Sequence, residues 1–200
     1  MSYAIMPYAV NLDGVTSMIG SRSEKLLKTL LSGWARDLED YDGLRDDVGQ
    51  GGADVTSAQT ALRHMVMGEE YDDRVGFIYA YCLKIFLAAR ADTDFLSNNG
   101  WSGMRFGWFE TVASELKAAG VDFDPLDLIF GGSPVRLPPT GGFPNIGHLG
   151  RAEMPAILAK FEGMDADMVT EYGALDAIRQ IESWLRTCVN SNRDLICYYH

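Results

Sequence analysis

The sequence predicts a helix-rich α+β protein built around a small central sheet. Two segments rich in aromatic and β-branched residues, 3–10 and 195–199, lie at opposite ends of the chain and are typical of strands. Between them, apolar residues recur at helical spacing in several segments. Because two strands are not stable alone, we expect the terminal strands to pair with each other and to be buried by about six to seven helices.

Length and composition predict a single globular domain over residues 1–200. Apolar residues make up 47% of the chain and charged residues 22%, which is usual for globular proteins. A chain of this length can bury a core without help from disulfides or metals. The sequence contains no internal repeat that would suggest a repeat protein.

The first part of the chain is predicted to be a strand followed by two helices. Pro7 marks the first strand as an edge strand or the site of a bulge. A short helix follows and ends at Gly20, and the sequence Ser21-Arg-Ser-Glu24 then resembles a capping box. The helix that it opens carries one apolar stripe, consisting of Leu26, Leu27, Leu30, Leu31, Trp34 and Leu38.

A mobile loop rich in acidic residues and glycine is predicted at about 39–55. We assign the acidic residues in and beside it to a surface that faces a basic protein partner: Asp37, Glu39, Asp40, Asp42, Asp46 and Asp47. The alternative is a solvated loop without a partner. The D-x-D-x-D-G spacing of a calcium-binding EF-hand is absent.

The remaining helices are predicted from end signals and apolar stripes. Thr56-Ser-Ala-Gln59 is a second capping box, Gly120 is a C-cap, and Asp124-Pro125 is typical of a helix start. The predicted helices span 56–68, a segment ending at about 89, 101–120, 126–130, 151–161 and 172–189.

The segment 130–150 is rich in glycine and proline, and we expect an ordered loop that forms one wall of a cleft. Arg136 lies in this loop and can bind a carboxylate or phosphate through two hydrogen bonds. His148 and Arg151 flank a predicted helix start, which favours an anion. The alternative is that Arg136 pairs with an acidic residue at the edge of the core and that His148 bonds a loop carbonyl.

Two further pairs of residues are candidates for chemistry. Trp101 and Arg105 are predicted to lie one helical turn apart, and in a cleft they can recognise a planar or anionic ligand. The alternative is a core tryptophan beside an arginine that reaches solvent. His64 with Glu69 or Glu70 would give an acid/base pair, although their spacing across a helix end does not bring them together reliably.

Charge and cysteine usage predict a cytoplasmic protein that contacts neither nucleic acid nor membrane. The net charge of −11 disfavours binding to phosphates and favours a basic partner. The N-terminus lacks the features of a signal peptide, and the apolar segment 75–89 is too short to span a bilayer. Cys82, Cys188 and Cys197 lie in apolar segments and are predicted to be buried free thiols.

Signatures of common enzymes are incomplete or missing. Gly131-Gly-Ser-Pro-Val135 resembles a nucleophile elbow, but Val135 stands where the motif needs its last glycine and Pro134 directly follows the serine. The sequence has no Walker motif, no G-x-G-x-x-G and no H-E-x-x-H. We therefore predict no cofactor, no metal and no catalytic residue.

Four segments, SYAIMPYAVNLD, GWSGMRFGWFE, FPNIGHLGRAEM and RDLICYYH, together resemble a family of uncharacterised bacterial proteins related to the YfbM-like superfamily. The resemblance extends over nearly the whole chain. It implies a single α/β domain in which the terminal strands join a central sheet, and it implies no activity. Related uncharacterised families sometimes serve as immunity proteins beside polymorphic toxins, which adds weight to a binding role.

Two main hypotheses of function follow from the sequence. The first is a non-enzymatic acidic binding protein, most concretely an immunity protein that neutralises a basic toxin. The second is a small-molecule or anion-binding pocket, sensory or enzymatic, built from Arg136, His148, Arg151, Trp101 and Arg105. A third, an oligomer-forming module, predicts an exposed apolar patch.

Overall fold

A computed structural model describes residues 3–47 and 54–200, except for the side chains of Asp46 and Asp47. The described residues form nine α-helices and a five-stranded antiparallel sheet, which confirms the predicted α+β class. The chain divides into two compact units. Residues 3–11, 94–134 and 145–200 form the sheet unit, and the described residues of 12–93 with 135–144 form the helical unit. The expected single domain stays a prediction.

The predicted pairing of the terminal strands is confirmed. The strands are β1 (Tyr3–Val10), β2 (Asp94–Phe95), β3 (Ser102–Met104), β4 (Asn145–Leu149) and β5 (Asp194–Tyr199). Their order is β2-β1-β5-β4, and β3 also pairs with β1. In the central β1–β5 ladder, Ile5 lies opposite Tyr199 and Val10 lies opposite Asp194.

Pro7 lies in a central strand, where the sequence predicted an edge strand or a bulge. The Pro7 carbonyl accepts a hydrogen bond from the Leu96 N–H at 2.9 Å, so its ring nitrogen points to the same side of β1, away from β5. On that side β3 pairs at Tyr3 and Ala4 and β2 pairs at Tyr8 and Ala9. Pro7 falls between these two short ladders, where no N–H is needed. The irregularity of β1 is at Tyr3 and Ala4 instead.

One face of the sheet packs into the core of the sheet unit. Its helices are α6 (Gly107–Ala118), α7 (Asp127–Phe130), α8 (Met154–Phe161) and α9 (Ala174–Ser191). Alternate residues of the central strands enter this core: Ile5, Ala9, Leu195, Cys197 and Tyr199. The indoles of Trp101 and Trp184 lie in the same core, with ring centroids 6.4 Å apart. Residues of the opposite face, including Tyr8 and Tyr198, are also buried.

The outer edge of β4 is covered by the segment that contains α7. A Cβ atom at Gly147 would lie 2.1 Å from the Leu128 carbonyl oxygen, so only glycine allows these backbones to approach. The Gly132 N–H donates to the Ile146 carbonyl at 3.0 Å. β4 was not predicted from the sequence, because its five residues lie in a segment rich in glycine and proline.

The helical unit is built around a helix that is apolar on nearly all sides. Its helices are α1 (Leu12–Thr16), α2 (Glu24–Gly33), α3 (Ala35–Asp47), α4 (Ala58–Met67) and α5 (Gly76–Ala88). Most of α5 is buried, with Lys84 only partly so. The predicted capping boxes were wrong in detail. Ser23 accepts from the Leu26 N–H at the start of α2, and Ser57 from the Thr60 N–H at the start of α4.

The acidic segment after Trp34 is helical, where the sequence predicted a loop from residue 39. The predicted helix breaks near Trp34, and α3 then continues to Asp47. Contacts distant in sequence hold it, since Leu38 is fully buried and the Tyr41 ring stacks on Tyr81 at 4.9 Å. Such contacts override the weak helix propensity of aspartate and glycine. Of the rest of the predicted loop, residues 48–53 lie outside the described residues, and Asp54 and Val55 form a turn before α4.

Candidate functional site

Trp101 is a core residue. Its side chain has no exposed surface, and its Nε1–H donates to the Ala177 carbonyl at 3.0 Å. The predicted helical turn between Trp101 and Arg105 is wrong, because Trp101 precedes β3 and Arg105 lies between β3 and α6. The Arg105 side chain is exposed. A ligand-binding role for Trp101 with Arg105 therefore stays a prediction.

His148 and Arg151 meet at Asp194, the first residue of β5. The Asp194 carboxylate is buried and accepts a hydrogen bond from the Arg151 backbone N–H at 3.0 Å. The His148 Nε2 atom lies 4.0 Å from the same oxygen, which is too long for a hydrogen bond. Burial lowers the pKa of His148, and the carboxylates of Asp194 and Glu153 act in the opposite direction. This cluster joins the turn after β4 to β5.

The predicted helix start beside His148 was wrong, because His148 belongs to β4 and the following helix begins only at Met154. Arg136 lies in the helical unit, in the segment 135–144, and is exposed. That segment is ordered by a close backbone contact, since a Cβ at Gly76 would lie 2.1 Å from the Pro139 carbonyl oxygen. An anion-binding role for Arg136, His148 and Arg151 stays a prediction.

The predicted acidic surface divides into residues that support the fold and residues that face solvent. Asp42 accepts the Ala58 N–H at 2.9 Å and lies 3.6 Å from the Arg45 guanidinium, so it stabilises the start of α4. Asp37 raises the pKa of Lys84, although burial of that lysine has the larger effect and lowers it. Glu39 and Asp40 are exposed on α3. The side chains of Asp46 and Asp47 lie outside the described part.

A groove of about 880 Å³ lies within the sheet unit. The connection from β3 into α6 forms one side, and the residues at the start of α9 form the other. Its lining includes Gly103, Arg105, Gly107, Trp108, Tyr172 and Asp176. The Trp108 Nε1–H donates to the Gly100 carbonyl at 3.1 Å, which fixes the half-buried indole. Tyr172 is 95% exposed, so its ring stands in solvent beside the groove.

Glycines leave room in this groove. A Cβ atom at Gly107, the first residue of α6, would meet no atom within 4 Å. Gly103 also has open space around it, and its φ of +70° favours glycine. Backbone without side chains lets a ligand approach closely. Two exposed aromatic side chains, Phe106 and Phe130, follow beyond Arg105 with ring centroids 6.3 Å apart.

A second, smaller groove continues along α9. It has a volume of about 400 Å³ and shares Asp176 with the first groove. Arg179, Gln180, Ser183 and Thr187 line it from α9. These residues recur every three to four positions and therefore form one stripe on the helix. Together the two grooves border α9 from Asp176 to Thr187.

Most of this surface was not predicted from the sequence. Trp108 was expected only as part of a helix over 101–120, and neither Tyr172 nor Asp176 was a candidate site residue. An available signal was the neighbourhood of Tyr172, an aromatic residue that precedes Gly173 and lies outside the apolar stripe of the last helix. An aromatic residue without a place in the core is a candidate for binding.

The helical unit contains a polar cluster centred on Asp72. Its carboxylate accepts hydrogen bonds from the Arg74 Nε–H and Nη2–H, each at 2.9 Å, and from the Thr56 hydroxyl at 2.9 Å. The Arg74 guanidinium holds the pKa of the Asp72 carboxyl well below its usual range. This Asp72 cluster ties the start of α4 to the turn before α5.

His64 joins the cluster through a buried tyrosine. The Tyr79 hydroxyl accepts from the Asp72 N–H at 2.9 Å and lies 2.8 Å from the His64 Nδ1 atom. The His64 Nε2 atom is 3.8 Å from a Glu69 carboxylate oxygen. The fold thus brings these two side chains together, although their spacing in the sequence did not predict it reliably. Tyr79 is fully buried. The contacts that link His64, Tyr79 and Asp72 therefore stabilise the fold.

The cysteines of the chain are buried free thiols, as predicted. Burial raises the pKa of Cys82, Cys188 and Cys197, so they stay protonated at neutral pH. Among the residues that the structure describes, no group of three or more His, Cys, Asp or Glu could hold a metal ion. No helix in 3–47 or 54–200 combines the length and apolar character needed to cross a membrane.

Fold and grooves together define an α+β protein with an open, aromatic-lined surface on its sheet unit. The chain belongs to the family described as Domain of unknown function (DUF7691), whose model matches residues 1–200. Comparison with curated proteins found no match, and comparison with solved structures found none either.

Proposed function

We propose that the chain is a binding protein and that a segment of a partner protein occupies the groove beside Trp108 and Tyr172. The observation that carries this proposal is the 95% exposure of Tyr172 next to a groove that also contains Arg105. Tryptophan, tyrosine and arginine are the residue types that contribute most binding energy at protein interfaces.

The groove has the physical properties that such a role needs. The Trp108 indole is held by its hydrogen bond to Gly100, so little side-chain entropy is lost when a partner covers it. The open space at Gly107 lets the partner's backbone come close to α6. Phe106 and Phe130 extend the apolar contact area beyond the groove.

The acidic face of α3 supports a second candidate, a basic partner. Glu39 and Asp40 are exposed on a regular helix, and the net charge of −11 attracts positively charged proteins. An immunity protein that neutralises a basic toxin in the cytoplasm is the finer form of this proposal. A bacterial origin and a relation to the YfbM-like superfamily belong to the same proposal.

The test compares three baits in affinity capture from an extract of the organism that encodes the chain. The baits are the unaltered chain, the groove variant Arg105→Ala/Tyr172→Ser and the helix variant Glu39→Lys/Asp40→Lys. Quantitative mass spectrometry measures the partner on each bait. We expect the groove variant to retain less than about one tenth of the partner, a loss of about 1.4 kcal/mol or more, and the helix variant to retain it all.

The matched control is Met168→Ala, which alters an exposed apolar residue of the same unit outside the groove. Unchanged thermal unfolding of every bait excludes misfolding as the cause of a loss. Loss on the helix variant alone would favour the basic partner. Equal capture by all baits would overturn both surfaces.

A further inference from the structure

The unpaired arginines of the sheet unit lie on the groove surface. Arg186 and Arg193 of this unit pair with Glu182 and Asp94. Arg105 and Arg179 are exposed, and neither guanidinium makes a hydrogen bond or ion pair with the residues in 3–47 and 54–200. Arg105 lines the larger groove and Arg179 lines the smaller one. This surface therefore offers positive charge although the chain as a whole is acidic.

The surface is elongated. Asp176 lines both grooves and Thr187 lies at the far part of the smaller one. At a rise of about 1.5 Å per residue, the stripe between them is roughly 16 Å long. An extended peptide rises about 3.3 Å per residue, so about five residues of a partner would follow it. A compact small molecule would leave most of this length uncovered.

Asp176 restricts which charges the occupant can carry. Because it borders both grooves, it repels a continuous run of acidic residues. Carboxylates at separate positions avoid that repulsion and can each form a two-point contact with one guanidinium. Apolar residues between them would lie against Trp108 and Tyr172.

We propose that the occupant of the groove is an extended peptide segment with carboxylates at two separated positions, one for Arg105 and one for Arg179, and apolar residues between them. This inference rests on the proposed function of the groove and adds the chemical class of the partner. It assigns the two arginines as specificity-determining residues.

The test uses a phage-displayed library of random peptides, selected on the unaltered full chain and on the charge-reversed variant Arg105→Glu/Arg179→Glu. We expect the unaltered chain to enrich peptides in which Asp or Glu residues flank an aromatic or aliphatic residue. The charge-reversed variant should lose these peptides and enrich peptides with Lys or Arg at the same positions.

One enriched peptide, labelled with fluorescein, then gives affinities by fluorescence anisotropy. Charge reversal of both arginines should weaken binding at least tenfold, and replacing the peptide's acids with lysine should restore binding to the variant alone. The control Arg36→Glu alters an exposed arginine of the helical unit and should have no such effect.

Enrichment of basic peptides on the unaltered chain, or affinities that do not respond to the charge exchange, would overturn the inference. If partner capture still depended on Tyr172 in that case, the groove would remain the binding site for a different class of segment. If neither capture nor peptide binding depended on groove residues, the proposed function would fail as well.

Discussion

Arg74 in the helical unit and Arg105 in the sheet unit carry the same guanidinium in opposite surroundings. Arg74 grips the Asp72 carboxylate with two hydrogen bonds and also bonds Asp54. Arg105 is exposed and contacts no carboxylate among the described residues. Arg74 therefore belongs to a hydrogen-bonded network that stabilises the fold, whereas the hydrogen-bond donors of Arg105 stay available to a ligand.

Removal of Asp72 should have the largest effect on stability. In Asp72→Ala, the Thr56 hydroxyl and the Arg74 guanidinium lose their shared acceptor. The Arg74 guanidinium is 57% exposed and can bond water instead, so most of the loss comes from the part-buried contact with Thr56. We expect the free energy of unfolding to fall by about 1–2 kcal/mol. Urea unfolding measures this change. The control Asp73→Ala alters an exposed neighbour and should change stability by less than about 0.5 kcal/mol; equal losses would contradict the role of the cluster.

The contribution of Asp72 should disappear in acid. Its carboxyl has a lowered pKa in the folded protein, so above the unfolded pKa of about 3.9 the charged form stabilises the fold fully. As the pH falls below that value toward the folded pKa, the unfolded chain binds the proton first and this stability is lost. We expect the stability difference between the unaltered chain and Asp72→Ala to shrink below about pH 4. A constant difference from pH 7 to pH 2 would contradict the expectation.

Gly107→Ala should raise the stability of the fold and weaken binding in the groove. The new methyl group meets no atom within 4 Å and replaces glycine in a helix, so the free energy of unfolding should rise by up to about 1 kcal/mol. The same methyl enters the groove and should weaken partner capture. Gly43→Ala is the matched control, because this exposed glycine of α3 also has open space around it. It should stabilise the chain and leave capture unchanged.

Arg105→Ala should have the smallest effect on stability. The side chain has no partner to lose among the described residues, so we expect a change within about 0.5 kcal/mol together with a clear loss of partner capture. Arg36→Ala removes the same charge from an exposed position in the helical unit and should leave capture intact. A destabilised Arg105→Ala protein would place this arginine with Arg74 in the fold-supporting class.

The sequence predicted correctly those elements whose residue pattern lies within one short segment. The two terminal strands are rich in β-branched and aromatic residues and contain no charged residue in the predicted ranges 3–10 and 195–199, and both were found as predicted. Trp101 and Trp108 were harder, because both were expected within one helix over 101–120. The helix begins only at Gly107, so Trp101 lies outside it and is buried, whereas Trp108 lies within it and is half-buried.

The parts that could not be predicted depend on contacts between distant segments. Asp194 receives the Arg151 N–H because the register of β4 on β5 brings the turn after β4 to it. Asp42 looks like one more acid in an acidic segment, yet it accepts a hydrogen bond from Ala58. Composition alone carries no information about such partners. Tyr172 gave a local signal for one side of the groove, but the sequence does not show what lies opposite it, because the start of α6 and the start of α9 build the groove jointly.

The antiparallel pairing of β1 with β5 also determines how the protein responds to mechanical load. The Ala4 N–H donates to the His200 carbonyl at 3.1 Å, so the start of β1 and the end of β5 lie side by side at one end of this ladder. A force that pulls residues 4 and 200 apart therefore acts first on this hydrogen bond. The remaining hydrogen bonds between β1 and β5 then break one after another along the ladder. The central strands of the sheet, although buried, would be the first to separate under tension.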